Sequence, residues 1–233
     1  RGLNGVFALN LDDARLPLTA AGLRPLASME SLGWLGFDAK DDSMEAIAAL
    51  PNLRMLMCQD TTAGDAGFTA LSKSRTLEYI WGRRCYNLGG AGFEALAHLP
   101  ALKGLSVSCK NVEDKALAAL PRFPSLNAFM PMDVPDDGFR HVGQCESLES
   151  LWCMYCRDTG DAATGHIKGL PRLRSYYAGQ TRITDRSLEI LGGMNSLEEV
   201  TFSACAGVTN EGLKKLTALT RLRELTVVTM PQI

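Results

Sequence analysis

Three short motifs contain residue types that could carry chemistry. Cys153 and Cys156 form a Cys-x-x-Cys pair, a spacing typical of metal-binding and redox sites. The triplet Asp-Thr-Gly at 158–160 has the sequence of an aspartic-protease active-site motif. The run NLGGAG at 87–92 has the glycine-rich composition of a phosphate-binding loop. Each motif is a site only if the fold brings it the partners that its chemistry needs, so the surrounding elements decide.

An internal repeat sets those elements. Nine times a leucine opens the pattern Leu-x-x-apolar-x-(usually apolar), and successive copies are 21 to 25 residues apart. The opening leucines are Leu32, Leu53, Leu77, Leu102, Leu126, Leu148, Leu173, Leu197 and Leu222. A weaker unit around Val6 gives about ten repeats of about 24 residues. A period of this length is typical of a solenoid.

Each repeat has the pattern of a strand, a turn and a short helix. Apolar and polar residues alternate through Leu197, Val200 and Phe202, which indicates a strand with one buried face. Thr184 and Thr209 each precede a segment with apolar residues three or four apart, so they are expected to cap a helix N-terminus. The sequence therefore predicts an α/β solenoid.

Stacking of these units is required because one unit cannot bury its own apolar face. Parallel strands then pair at a spacing of about 4.8 Å, and the helices form the other layer. Since the helical layer is wider than the strand layer, we expect an arc or horseshoe with the parallel sheet on its concave face and short helices on its convex face.

The pattern resembles the leucine-rich repeat family, in particular its cysteine-containing type, over about residues 6 to 230. Cys85, Cys156 and Cys205 stand eight positions after an opening leucine, where other types carry Asn, and the helix starts TDRSL, TNEGL and EDKAL match the type's signature. This position departs from the pattern elsewhere, for example at Lys40, Lys110 and Val134. Similar repeats occur in F-box proteins and in bacterial proteins with a TDxGL signature.

The register assigns all three motifs to ordinary parts of the repeat. Cys153 takes a core strand position and Cys156 an inward position, and the sequence has no second Cys pair to complete a four-ligand zinc site. The Asp-Thr-Gly triplet and the glycine run fall in strand-to-helix turns. The histidines lie in the helical layer of separate repeats, so they cannot complete a catalytic triad: His98, His141 and His166. The sequence therefore predicts no enzyme, no metal and no cofactor.

The cysteines also bear on the compartment. Their number is odd, seven, and most occupy inward positions, which argues against a disulfide scaffold and favours a reducing intracellular compartment. Cys109 is expected at the concave edge, where it would be the reactive thiol.

The concave face is the predicted binding surface. Side chains two, four, six and seven places after each opening leucine should project from the sheet, and these positions include every tryptophan of the chain. The predicted binding residues are Trp34, Met57, Tyr79, Trp81, Arg83, Arg84, Ser106, Met130, Met132, Trp152, Met154, Tyr155 and Tyr177. The terminal repeats carry polar residues there instead, namely Asn10, Asp12, Asp13, Glu199, Thr201, Glu224 and Thr226. A large apolar patch with a polar rim is typical of an interaction surface.

Two details sharpen this surface. The small residues Gly104, Ser106 and Ser108 predict a notch near the fifth repeat, beside which Arg83 and Arg84 could pair with a carboxylate or phosphate of a partner. The alternative is that the aromatic rings are purely structural, because aromatic residues favour strands and can cover one another between repeats.

The predicted function is a non-enzymatic module that binds a protein or peptide on its concave face. One alternative is the substrate-recognition domain of a ubiquitin ligase, which the resemblance to F-box repeats implies. Another is a glycan or small-molecule receptor, because tryptophan side chains also stack on sugars.

Bulk composition adds exclusions and one expectation about the ends. The net charge of −2 gives no footprint for nucleic acid or acidic membranes, and no apolar run reaches the roughly 20 residues that span a bilayer. We predict one leucine-rich repeat domain over residues 1–233, within a longer polypeptide. Since solenoids need covered ends, further polypeptide or a partner subunit is expected to cap one of them.

Overall fold

The computed structural model describes residues 5–11 and 19–233, so the polar positions Asp12 and Asp13 lie outside the described part. Within it, ten short strands alternate with nine short α-helices. The strands are β1 (Ala8–Asn10), β2 (Trp34–Gly36), β3 (Met55–Met57), β4 (Tyr79–Gly82), β5 (Gly104–Ser108), β6 (Ala128–Met132), β7 (Ser150–Met154), β8 (Ser175–Gly179), β9 (Glu199–Ser203) and β10 (Glu224–Val228). The helices are α1 (Ala20–Leu23), α2 (Asp41–Ala48), α3 (Asp65–Leu71), α4 (Gly90–Leu96), α5 (Asp114–Leu117), α6 (Phe139–Val142), α7 (Asp161–Ile167), α8 (Asp185–Leu191) and α9 (Asn210–Lys215).

The chain divides into two compact units, Arg1–Leu126 and Asn127–Ile233, which we call the N-terminal and C-terminal units. In the N-terminal unit, β1 to β5 lie side by side in chain order and every neighbouring pair is parallel. In the C-terminal unit, β6 to β10 follow the same rule. The predicted α/β leucine-rich repeat solenoid is thereby confirmed, whereas a single domain over 1–233 stays a prediction.

From the second to the ninth repeat, the same positions are buried. The opening leucines Leu53 and Leu173 are buried, and so are the strand residues three places later, Leu56 and Tyr176. Removing one such large apolar side chain from water contributes roughly 1.5–3 kcal/mol. Because strand side chains alternate, the residues two, four and six places after each opening leucine project from the other face. We call it the open sheet face.

The helices are short, and none within the described ranges is long and apolar enough to cross a membrane. Two of their starts confirm the predicted capping. The Thr184 hydroxyl oxygen accepts a hydrogen bond from the Arg186 amide at 3.2 Å, and that of Thr209 accepts one from Glu211 at 3.1 Å. A cap of this kind satisfies one of the amides that a helix leaves without an internal partner.

An aspartate at one helix start also caps the helix of the next repeat. Asp65 Oδ1 accepts hydrogen bonds from the Gly89 amide at 2.7 Å and the Gly92 amide at 2.9 Å. A Cβ on residue 92 would lie only 2.7 Å from the same oxygen. The approach of the preceding carboxylate therefore explains why a small residue occupies this place in the repeat.

The C-terminal unit carries the larger version of this cap. Asp161 Oδ1 accepts from the Thr184 amide at 2.9 Å and the Ser187 amide at 3.2 Å, and it also accepts the Ser187 hydroxyl at 2.5 Å. The Thr184 hydroxyl donates to Asp161 Oδ2 at 2.7 Å. Four hydrogen bonds thus join one aspartate to the helix start of the next repeat, and they hold neighbouring repeats in register.

Candidate functional site

The chemical motifs are parts of the scaffold. Cys153 and Cys156 are both buried, and the Cys156 thiol donates to the Pro131 carbonyl at 3.1 Å. Burial raises the pKa of Cys156 to about 11 and holds that of Cys153 well above its usual value. Both are therefore neutral thiols near pH 7, not the thiolates that bind metals or act as nucleophiles. No group of three or more side chains suited to a metal ion exists among the described residues.

The other two motifs are occupied by internal hydrogen bonds. In the Asp-Thr-Gly triplet, the Thr159 hydroxyl donates to the Val134 carbonyl at 2.9 Å, and the Gly160 amide donates to Asp136 Oδ1 at 2.6 Å. In the glycine run, the Gly89 and Gly92 amides bind Asp65, so they already have an anionic acceptor. Both motifs serve strand-to-helix turns.

Cys109 corrects a prediction. Its thiol was expected to be reactive at the edge of the sheet, but the residue is buried. A buried thiol has little access to oxidants or electrophiles. The prediction of a reactive thiol is wrong because the side chain is covered, with its Sγ 3.9 Å from the Val107 carbonyl oxygen.

The N-terminal unit brings five large side chains into register on its open sheet face. Four are predicted binding residues, and the fifth is their neighbour Met55. Trp34, Met55 and Tyr79 are paired in that order across β2, β3 and β4, and Met57 is paired with Trp81 one step further along the strands. Tyr79 is 38% exposed, and the other four are half-buried. We call these five residues the N-terminal surface.

Glycines form the floor under two of these rings. A Cβ on Gly104 would lie 2.5 Å from Tyr79 Cδ1, and a Cβ on Gly36 would lie 2.8 Å from the Trp34 ring. Both rings therefore lie against glycine backbone, and the ring of Tyr79 fills the space above Gly104. Ring–glycine packing was missed in the sequence. Its signal was a glycine at the register partner of a ring, as for Tyr79 and Gly104, or two places after a ring on the same strand, as for Trp34 and Gly36.

One of the two arginines next to this surface already has a partner within the chain. Arg84 makes a two-pronged ion pair with Asp60, and hydrogen bonding from Arg84 lowers the pKa of the Asp60 carboxyl. The positive charge of Arg83 also lowers it. Asp60 is additionally held by its own amide, which donates to Asp38 Oδ1 at 2.8 Å. Arg84 is thus already bound to an acceptor. Asp60 and Arg84 occupy the same position in successive repeats, seven residues after the opening leucine.

Three predicted binding residues do not present accessible side chains. Ser106, Met130 and Met132 are 4%, 6% and 3% exposed. Ser106 is paired with the much larger Trp81, which shields it. The methionines have long, unbranched side chains that can fold onto apolar surface, and they are covered. The expectation of exposure at these three positions is wrong.

The C-terminal unit has its own group of aromatic side chains. Trp152 is 37% exposed and is paired with Tyr177 on the next strand, and their ring centroids are 5.8 Å apart with 33° between the ring planes. Met154 and Tyr155 are half-buried beside them. The Tyr177 ring lies on glycine too, because a Cβ on Gly179 would be 2.6 Å from its Cε1 atom. We call Trp152, Met154, Tyr155 and Tyr177 the C-terminal surface.

Charged side chains form ladders at the starts of the strands, and these were not anticipated. Glu78 lies between Arg54, at 2.9 Å, and Lys103, at 2.7 Å, which come from the preceding and following repeats. Hydrogen bonding from Lys103 is the main cause that lowers the pKa of Glu78. In the C-terminal unit, Glu198 pairs with Arg221 at 2.8 Å. The signal was the alternation of charge sign one place after successive opening leucines, except for Arg221, which stands one place before Leu222.

Comparisons with known proteins rest on structure. No protein-family model matches the chain, and no curated protein matches it either. An internalin from Listeria monocytogenes is similar over 87% of this chain and 56% of its own length, with 18% identity and a TM-score of 0.56. Internalin C2 from the same organism is similar over 91% of this chain and 92% of its own, with 14% identity and a TM-score of 0.60. Both are leucine-rich repeat proteins, and the similarity shows that this chain shares their fold.

Proposed function

We propose that this chain is a non-enzymatic module that binds a protein or peptide through the N-terminal and C-terminal surfaces. The observation that carries the proposal is the exposure of large rings in the middle of regular sheet, since Tyr79 and Trp152 leave 38% and 37% of their area open to solvent. Their strand neighbours present further aromatic and methionine side chains. Trp and Tyr are enriched among the residues that dominate binding energy at protein interfaces.

The packing of the rings supports binding rather than opposing it. Tyr79 and Tyr177 lie against glycine backbone, so their orientation is fixed before a partner arrives. A fixed ring loses little conformational freedom on binding, which lowers the entropic cost of association. The same ring can therefore both stabilise the fold and contribute to binding. Measurements of stability and of affinity separate the two contributions.

The experiment compares two tryptophan truncations with a matched aromatic control. Phage-displayed random 12-residue peptides are selected on the intact chain, and the enriched peptides are synthesised. Their affinities are then measured for the parent, Trp81→Ala, Trp152→Ala and Tyr86→Ala. Tyr86 is exposed but lies in a turn, outside both surfaces.

We expect at least one tryptophan variant to lose about 30-fold in affinity, the equivalent of a residue worth about 2 kcal/mol. The Tyr86 variant should stay within about twofold of the parent. Circular dichroism and thermal melting are recorded for each variant. Unchanged affinity in both tryptophan variants, or a large fall in melting temperature without specific loss of binding, would show that the rings are structural.

A glycan or small-molecule receptor is the second candidate. It is favoured by one feature, the Trp152–Tyr177 ring pair, because adjacent rings also provide a stacking platform for a flat apolar ligand. Glycan-array binding by the parent but not by Trp152→Ala, together with no enriched peptide, would replace the first proposal with this one.

Two finer assignments complete the proposal. The repeats are assigned to the cysteine-containing type because Cys85, Cys156 and Cys205 are all buried at the same inward position. The edge of β10 is assigned as a covered surface: Leu225 is 43% exposed, whereas its β9 neighbour Val200 is buried. Further polypeptide or a partner subunit would cover it. Sedimentation analysis of Leu225→Ser and the parent tests whether a partner subunit covers this edge. If it does, the parent should sediment as a larger oligomer than the variant.

A further inference from the structure

Two glutamates occupy opposite positions on the open sheet face of the C-terminal unit. Glu199 on β9 and Glu224 on β10 are register partners on adjacent parallel strands, and both are exposed. Neighbouring strands are about 4.8 Å apart, so the two side chains start from closely spaced positions. Like charges placed directly opposite each other destabilise a strand pair. This pair is therefore a local cost to the fold.

No cation of the described part of the chain compensates this cost. Neither Glu199 nor Glu224 has an ion pair with another described residue, and the contact of Glu224 is a hydrogen bond accepted from the Thr226 hydroxyl at 3.2 Å. The adjacent Glu198 shows the contrast, because two arginines surround it, Arg221 at 2.8 Å and Arg223 at 3.6 Å. The charge of Glu198 is thus neutralised within the chain, whereas the charges of Glu199 and Glu224 are not.

The aromatic pair lies beside these carboxylates. Glu199 is in register with Ser175 on β8, and Tyr177 is two residues further along that strand. Strand spacing and rise place the Cα atoms of Tyr177 and Glu199 roughly 8 Å apart. A guanidinium or ammonium group within about 6 Å of a tyrosine ring is attracted by it. One cationic side chain could therefore contact the Tyr177 ring and reach a carboxylate.

We infer that the C-terminal surface takes a partner segment in which a Lys or Arg residue lies next to an apolar residue. The apolar residue packs on Trp152 and Tyr177, and the cation pairs with Glu199 and Glu224. Charge complementarity supports this occupant, because binding a cation removes the repulsion between the two carboxylates. The inference rests on the proposed function and deepens it by stating the chemistry of the partner.

The test uses the same phage-displayed random 12-residue peptides, selected separately on the parent and on three double variants. Glu199→Gln with Glu224→Gln removes both charges, and Glu199→Lys with Glu224→Lys reverses them. Glu189→Gln with Glu211→Gln is the control, because it removes the same net charge from exposed positions on α8 and α9. It also breaks the Glu211–Lys214 ion pair, so its melting temperature is recorded as well. The conservative Gln pair removes a repulsion and should fold at least as well as the parent, which thermal melting checks.

We expect peptides selected on the parent to be enriched in Lys or Arg beside Trp, Phe or Leu. Their affinity should fall about tenfold for the Gln pair and less than twofold for the α8 and α9 control. Selection on the Lys pair should enrich Asp or Glu in place of the cation. Peptides that depend on Trp152 but bind the Gln pair as tightly as the parent would overturn this inference and leave the proposed function standing. The absence of any enriched peptide would overturn both.

Discussion

The N-terminal and C-terminal units use the same repeat but end their strands differently. In the N-terminal unit, β1 to β4 contain three or four residues, whereas all five strands of the C-terminal unit contain five. Seven places after each opening leucine, the C-terminal unit has a residue in the left-handed region, with φ between 52° and 62°. These residues are Asp133, Tyr155, Gln180, Ala204 and Thr229. The described residues of the N-terminal unit include no such non-glycine residue.

The hydrogen bonds show what this conformation does. In the C-terminal unit, the amide of the left-handed residue donates to the next strand: Tyr155 to the Gly179 carbonyl at 3.1 Å, and Gln180 to Ser203 at 2.9 Å. In the N-terminal unit, the Arg84 amide donates backwards instead, to the Gln59 carbonyl of the preceding repeat at 2.7 Å. In the C-terminal unit, the left-handed residue therefore adds a bond to the next strand, at a conformational cost to its own side chain. A five-residue strand does not require it, because β5 has five residues and Cys109 is not left-handed.

The aspartate caps between repeats also differ between the units, because the one in the C-terminal unit makes more hydrogen bonds. Their removal gives the largest expected effect on stability. Asp161→Ala loses four hydrogen bonds to the next helix start, whereas Asp65→Ala loses two. We expect the free energy of unfolding to fall by about 3 kcal/mol for Asp161→Ala and by about 1.5 kcal/mol for Asp65→Ala. Urea unfolding measures both. Equal losses would mean that the additional bonds in the C-terminal unit contribute nothing.

The charge of Asp161 adds a pH dependence. Burial raises the pKa of this carboxyl, but hydrogen bonds from Ser187 and Thr184 outweigh it, so the pKa lies below its usual value of 3.8. A lowered pKa in the folded state means that the stabilisation is present above the pKa of the unfolded chain and is lost as the pH falls through the folded value. Unfolding free energies between pH 6 and pH 2 should therefore fall less steeply in Asp161→Asn than in the parent. Identical slopes in the two proteins would contradict this.

Ring–glycine packing is shared by the two units and gives a smaller effect. Gly104→Ala and Gly179→Ala would place a Cβ 2.5 Å from the Tyr79 ring and 2.6 Å from the Tyr177 ring. Because the added methyl group displaces the ring from its packed position but leaves the rest of the fold in place, we expect a loss of only about 1 kcal/mol in each case. In a Tyr79→Ala background, Gly104→Ala should cost little further, because no ring is left to displace. Thermal melting of the single and double variants checks this, and additive losses would contradict it.

The repeat fixed the elements in advance because opening leucines, alternating strands and caps follow local rules. Leu53, Leu173, Thr184 and Thr209 are where these rules put them. The binding surfaces were harder, since exposure depends on what a neighbouring repeat contributes. Ser106 is buried although it stands at a projecting position, and its register partner is the much larger Trp81.

Partners in adjacent repeats explain the other differences. The Arg84–Asp60 ion pair joins residues 24 apart in the chain, and the cap from Asp65 reaches Gly89 over the same separation. A pattern read within one repeat contains neither pair. Comparing the same position in successive repeats would have shown both, because the stacked strands bring those positions together. The left-handed residues gave no such signal, as Asp, Tyr, Gln, Ala and Thr share no local preference.

Two alanines give the smallest expected effect and the most direct test of the difference between the units. Ala39 and Ala204 both stand seven places after an opening leucine, but only Ala204 is left-handed, with φ at 52°. Ala204→Gly relieves about 1 kcal/mol of backbone strain, but glycine also increases the conformational entropy of the unfolded chain, which offsets most of this. We therefore expect the free energy of unfolding to rise by up to about 0.5 kcal/mol.

Ala39→Gly has no strain to relieve and removes a buried methyl group, so a loss of about 1 kcal/mol is expected. Urea unfolding of the two variants should therefore move in opposite directions from the parent. A loss of similar size at both sites would mean that position seven has the same backbone conformation in both units in solution. Opposite signs would show that the C-terminal unit maintains its longer strands against a local backbone preference, at a cost that the extra ladder bonds must offset.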